Sequence, residues 1–243
     1  MVALDRSTLP FTLYREPDEF VAVLAVEPRL ESWDANTHPS QVALAAYLNH
    51  ARELCSPAME RLVPPLAIKL WVGAPTRPVY QSQGGDLDNY LYPLVGRGLG
   101  WQRFYAAFAE KNADVSRIAL GEALPSPSEE VAGWNYAWVE TSTSASLRSW
   151  KEEIVAQLMQ QAVGEERSQK IELQLAFRLA ERRNWAYLCK PAIDSLGCIL
   201  GLNDTSKPFH PRDDKVVRLG LHRSIDDSMR NRVAIGIWWR GHE

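Results

Sequence analysis

Cysteine is scarce. The chain has three, Cys55, Cys189 and Cys198, an odd number with no metal-ligand spacing, which excludes a disulfide framework and a zinc knuckle. Cys189 and Cys198 sit among apolar residues and read as small core side chains. Long apolar runs are also missing: none reaches the ~18–20 residues needed to span a bilayer. Met1–Pro10 contains Asp5 and Arg6 but no apolar stretch of the secretory kind. These absences lead to the expectation of a soluble, cytoplasmic protein with reduced thiols and no membrane partner. The sequence also lacks a Walker A loop, a dinucleotide glycine pattern and a nucleophile elbow. Strong charge of one sign is absent too, the net being −3, so no global cationic field draws the chain to nucleic acid.

Apolar residues are plentiful. They make up 46% of the 243 residues against 23% charged, enough to offset the ordering entropy that leaves disordered chains unfolded. The length fits one large domain or two of ~120 residues. The charge is unevenly spread. Residues 170–243 hold 13 Lys and Arg against 9 Asp and Glu, leaving 14 against 21 of the chain's 27 and 30 for residues 1–169. The C-terminal third is therefore the candidate for phosphate contact.

Along the chain, Phe20–Val26 and Leu66–Val72 are β-branched-rich apolar runs expected to be strands. Between them Pro39–Leu62 has helical periodicity, with Ser40 as expected cap and Pro57 as expected kink. Gly73–Gly85 reads as loop. Asp86-Leu87-Asp88-Asn89 then opens a short helix over Tyr90–Val95, and Val115–Leu120 is expected as a strand. Leu124–Glu130, with two prolines and two serines, is the linker candidate. After it the order returns: strand Trp134–Thr143, amphipathic helix Ser149–Val163, strand Ile171–Leu179, a helix with Asp194 at its start within Cys189–Leu200, and strands Val216–Leu221 and Val233–Trp239. In the last of these, alternation predicts one of Trp238 and Trp239 buried and the other exposed.

The repetition predicts duplication. Asp88 and Asp194 are 106 apart, and Lys111–Leu120 aligns without gaps on Arg212–Leu221 at an offset of 101. The expected organisation is residues 1–123 and 131–243 as related halves, joined by 124–130.

The chemistry-bearing pattern is Gly84-Gly85-Asp86-Leu87-Asp88-Asn89. Two carboxylates at i and i+2 on an extended segment point the same way, and paired hard oxygens suit Mg²⁺ or Mn²⁺. A second acidic pair, Asp213-Asp214, precedes strand Val216–Leu221. His210 and His222 flank that pair but read as ordinary polar residues.

These residues resemble the motifs of the RusA-like Holliday junction resolvases: Asp-x-Asp-Asn at a helix start, then Asp-Asp before a Val-rich strand. The resemblance occurs once in each half. It implies an α+β fold of two tandem RusA-like halves forming an internal pseudo-dimer, with Asp86, Asp88, Asp213 and Asp214 as catalytic carboxylates. Asp86, Asp88 and Asp214 would hold Mg²⁺ or Mn²⁺, and Lys190, Arg212, Lys215 and Arg218 would meet the phosphates of DNA, branched or flapped. Neither half carries the full pattern. The first has Asn112-Ala113 where the acidic pair is expected, with Asp114 beyond. The second has Ala192 and Ser195 in Lys190–Ser195, where the family has Asp and Asn. The family's lysine one turn later is replaced by Tyr92 and Cys198. The resemblance therefore implies a divalent-metal-dependent endodeoxyribonuclease with one composite site across the halves, a first-half site working alone, or a decayed module that only binds nucleic acid or protein. The fused halves make a monomer plausible.

Overall fold

In a computed structural model of the chain, residues 11–30, 34–35, 37–73, 85–127 and 131–242 are described. The elements in order are β1 (Phe20–Val23), α1 (Pro39–Arg61), β2 (Leu66–Gly73), α2 (Leu87–Tyr92), β3 (Phe104–Ala113), β4 (Arg117–Glu122), β5 (Asn135–Thr141), α3 (Arg148–Gln160), β6 (Ile171–Leu179), α4 (Cys189–Asp194), α5 (Gly197–Leu200), β7 (Val216–Ile225) and β8 (Val233–Gly241). A π-helical turn, Pro93–Leu99, follows α2, and short 3₁₀ turns, Trp101–Arg103 and Asp213–Lys215, lead into β3 and β7. The fold is α+β, built on one mixed eight-stranded sheet ordered β1-β4-β2-β3-β7-β6-β8-β5.

Pairing follows a regular scheme. β2 runs parallel to β3 and antiparallel to β4, and β4 pairs with the edge strand β1. β6 likewise runs parallel to β7 and antiparallel to β8, and β8 pairs with the edge strand β5. The centre is the antiparallel pair β3·β7, with Ala106 opposite His222 and Glu110 opposite Arg218. One core runs along the whole sheet: Ile68, Leu70, Ala107, Leu219, Leu221, Leu173 and Ile237 meet the apolar stripes of the helices. By strand alternation the opposite face carries Ala67, Phe108, Arg218, Gly220, His222 and Gln174. It is partly covered by Phe11, Leu13 and Tyr14 of the N-terminal segment.

Several expectations change. Helix α1 is capped by His38, whose Nδ1 accepts from the Ser40 N–H at 3.3 Å, rather than by Ser40. Pro57 lies inside α1 on its exposed side, where the carbonyl it frees can turn to water. Strand β3 is absent from the sequence reading, because Phe104–Ala113 is rich in alanine and lacks β-branched residues. Its presence displaces the internal alignment: Lys111–Leu120 spans the end of β3 and most of β4, whereas Arg212–Leu221 enters β7. Asp194 ends α4 rather than starting a helix. Trp238 and Trp239 are both buried, because β8 is covered on both faces. Of the linker, Leu124–Pro127 pairs with the N-terminal segment through Arg15 N–H to Leu124 O and Ser126 N–H to Leu13 O, both close to 2.9 Å; residues 128–130 lie outside the described residues. So do residues 74–84 of the loop before α2, including Gly84.

Candidate metal centre

Helix α2 begins at Leu87, three residues before the expected start at Tyr90, and this places the first two carboxylates. Asp86 is its N-cap and Asp88 its second residue. They reach one spot as cap and first-turn side chains, not by the strand alternation expected for an extended segment. Asp86 is held by Asn89, whose side-chain N–H donates to Oδ2 at 3.2 Å. Asp213 comes from far along the chain, on the 3₁₀ turn before β7. Because β7 pairs antiparallel with β3, its N-terminal end lies beside the C-terminal end of β3, next to the start of α2. There Asp86, Asp88 and Asp213 present carboxylate oxygens all within 4.8 Å of one another.

Two lysines serve this cluster. Lys190 on α4 donates to Asp213 Oδ2 at 2.9 Å and lies 3.3 Å from Asp194 and 3.5 Å from Asp88. Lys111 on β3, buried, donates to the main-chain oxygen of Asp214 at 2.9 Å. Carboxylates still outnumber ammoniums, and the protonation equilibria reflect it. Burial, reinforced by Asp213 and Asp86 against the opposing pull of Lys190, pushes the Asp88 carboxyl up to about 7. Burial and Asp213 raise Asp86 as well. Burial disfavours the Lys190 charge, but Asp88, Asp213 and Asp194 outweigh it and hold its pKa above the usual lysine range. Burial lowers Lys111. Asp88 is 2% exposed, and its Oδ2 accepts no hydrogen bond, the Lys190 ammonium standing 3.5 Å from it. A buried carboxylate oxygen in that state costs free energy unless a proton or a metal ion completes it.

The other expected site residues are placed less simply. The Asp214 carboxylate is not one of the three grouped oxygens, although its charge acts on Asp86 and Lys111, and its main-chain oxygen accepts from Lys111. Asp194 is engaged by Lys151 at 2.6 Å and by Lys190. Lys215 is 4% exposed, its ammonium taken by the carbonyls of Glu166 and Leu200, so it does not reach a ligand surface. Arg218 projects from the opposite face of the sheet, in ion pairs with Glu16, Glu110 and Glu172. Arg212 is half-buried, its main-chain N–H bonded to Gly201. Asp114 is exposed in the turn between β3 and β4, and the side chains of Asn112 and Ala113 lie outside the described set. His210 is exposed and His222 fully buried. Sequence reasoning missed Lys111 because it missed β3. The available signal was a lone lysine inside an apolar, alanine-rich segment.

Among the described residues no helix is long and apolar enough to cross a membrane. No protein-family model matches the chain, and comparison with curated proteins finds no similar sequence.

Proposed function

We propose that this chain is a divalent-metal-dependent phosphodiesterase acting on nucleic acid, built from two RusA-like halves folded as an internal pseudo-dimer with one composite site. The observation that carries this reading is the convergence of Asp86 and Asp88 from one half with Asp213 from the other, around a buried and donor-less Asp88 Oδ2. The strand scheme supports the duplication. The pairing of β1–β4 recurs in β5–β8, and the 3₁₀ turn Trp101–Arg103 before β3 occupies the sequence place that Asp213–Lys215 occupies before β7. The second potential site thus lacks its acids: Ala192 stands in place of Asp86, Trp101-Gln102 in place of Asp213-Asp214, and Asp194 is neutralised by Lys151.

The three carboxylates fit a hard cation. Two oxygens on an ion at ~2.1 Å stand at most ~4.2 Å apart, a span that modest side-chain rotation reaches from the present spread. Mg²⁺ or Mn²⁺ bound by Asp86, Asp88 and Asp213 would polarise a phosphodiester and lower the pKa of an attacking water. Asn89 orients Asp86, and Lys111 fixes the turn that carries Asp213 by holding the Asp214 carbonyl. Lys190, whose ammonium has three donors and a strongly retained charge, offsets the phosphoryl oxygens' negative charge beside the carboxylates.

One site implies one cut, so the expected product on branched or flapped DNA is a nick. The test is cleavage of labelled junction and flap substrates in Mn²⁺, with Asp88→Asn alongside. Nicks that vanish in the variant support the reading; an inert wild-type protein, or an equally active variant, refutes it. One observation favours a second reading: the Lys190 ammonium already sits among the carboxylates, as in a site that has exchanged metal for an internal cation. That reading predicts DNA or protein binding that is indifferent to Mn²⁺.

A further inference from the structure

The face of the sheet away from the helices holds a cavity of about 390 Å³. Its floor is β3, β7 and β6, and its walls are the N-terminal segment Leu13–Glu16 and the chain around Trp134. By alternation it lies across the sheet from the carboxylate cluster, whose helix α2 packs on the other face.

The floor is built with unusual definition. The Tyr14 main-chain N–H donates to His222 Nδ1 at 3.0 Å, which fixes the imidazole as the tautomer protonated on Nε2. That Nε2–H donates to Gln174 Oε1 at 2.7 Å. The amide of Gln174 is thereby oriented, with its NH₂ group as the end not used by the histidine. Burial holds His222 neutral, its pKa down at about 3. Gln174 can lie across β7 only because residue 220 is glycine: a Cβ there would stand 1.7 Å from Gln174 Oε1.

The remaining polar groups of the lining are unbalanced toward donors. Glu16 is taken by Lys69 at 2.6 Å and Arg218 at 3.0 Å. Glu172 is taken by Arg240 at 2.8 Å and His242 at 2.7 Å. Both carboxylates are therefore saturated. Arg218 donates at hydrogen-bond distance to Glu16 and lies 3.7 Å and 3.8 Å from Glu110 and Glu172, and Arg240 donates to Glu172; of the five N–H donors on each guanidinium, some are left over. Trp134 is 6% exposed, pinned under the Arg240 guanidinium 4.5 Å from its ring centre, and its Nε1–H has no acceptor. A buried indole N–H normally finds a partner. Phe108, Tyr14 and Trp134 supply flat apolar walls.

We propose that this cavity binds a small planar organic anion, its ring against the aromatic walls and its oxyanion toward Arg218 and Arg240, with an acceptor for Trp134 Nε1–H. A carboxylate and a phosphate monoester share the required chemistry. The site is independent of the proposed nuclease centre.

Calorimetric titration of the full chain with naphthalene-2-carboxylate, its neutral methyl ester, and adenosine 5′-monophosphate tests the proposal and separates the two anion types. One or both anions should bind with one-to-one stoichiometry, and the ester at least ten-fold more weakly than its acid. Trp134→Phe should weaken anion binding by about five-fold, the value of one neutral hydrogen bond. Arg240→Gln, at a half-exposed side chain that tolerates change, should weaken it by at least as much. Asp88→Asn should leave it unchanged. The proposal is overturned if neither anion saturates the protein below millimolar concentration, if the ester binds as tightly as the acid, if both variants bind like wild type, or if Asp88→Asn abolishes binding and so moves the ligand to the other face.

Discussion

Asp88→Asn should make the metal-free protein more stable, not less. In the wild type this carboxyl is 2% exposed, and its pKa is raised from 3.8 to about 7, by burial first and by the neighbouring Asp213 and Asp86 in addition. At ~1.4 kcal/mol per pH unit, keeping it ionised above pH 7 costs on the order of 4 kcal/mol. The sign follows from linkage. The folded state holds this proton more tightly than the unfolded chain, so the group's stabilising contribution is complete below about pH 4 and is lost as pH rises through about 7. Asparagine mimics the protonated acid in shape and carries no charge, and Lys190 keeps Asp213 and Asp194 as partners. Urea unfolding of both proteins without metal should therefore show nearly equal stability at pH 4 and an advantage for the variant approaching 4 kcal/mol at pH 8. For a chain of this length that is roughly 8–16 °C in Tm. Added Mn²⁺ should close most of that gap, since an ion at 100 times its Kd adds about 2.7 kcal/mol to the protein that binds it and nothing to the variant. A variant equal to or weaker than wild type at pH 8 without metal would refute the claim that burial at Asp88 is a net cost that Lys190 only partly offsets.

Three further outcomes follow from the same geometry. Lys190→Met leaves Asp88, Asp194 and Asp213 without their shared cation and should cost about 3 kcal/mol at neutral pH, a loss that millimolar Mn²⁺ should largely restore in thermal melts. His222, neutral in the fold with a pKa near 3 against 6.5 unfolded, contributes stability that is complete above pH 6.5 and declines as pH falls toward 3. Between pH 7 and 5 wild type should lose about 2 kcal/mol more than His222→Gln, and parallel pH profiles would contradict this. Gly220→Ala should destabilise by about 2–3 kcal/mol, because the new Cβ overlaps Gln174. Adding Gln174→Ala should recover part of that loss in denaturant titrations, and no recovery would place the strain elsewhere.

How much was legible in the sequence varied by element. Strand β6 is found at the bounds its alternation gives, and α1 and α3 lie within a residue or a few of theirs, because Ile171–Leu179 and the two amphipathic stretches carry strong periodicity. Strand β3 was not legible. Its alanines are poor strand formers alone and become a strand only where β2 and β7 pair with them on either side. Losing β3 also hid Lys111 and shifted the internal alignment by a strand. Lys215 and Arg218 carry the charge that phosphate contact needs. Charge does not say which face of β7 a side chain takes, nor that a buried ammonium can be satisfied by carbonyls such as those of Glu166 and Leu200.

The amino-acid order alone determined the residue types able to hold a hard cation, the α+β character, and the recurrence of a strand–helix–strand unit. These are local properties, written in periodicity, turn residues and short motifs. Tertiary structure decided which carboxylates meet. Asp88 and Asp213 are 125 positions apart, and only the antiparallel pairing of β3 with β7 brings the start of α2 beside the turn that enters β7. Tertiary structure also decided that Lys190 shares their charge, and that Gly220, Gln174 and His222 form the floor of a donor-rich cavity on the other face. Both outcomes rest on non-local strand register, a relation between distant segments that no window along the chain contains.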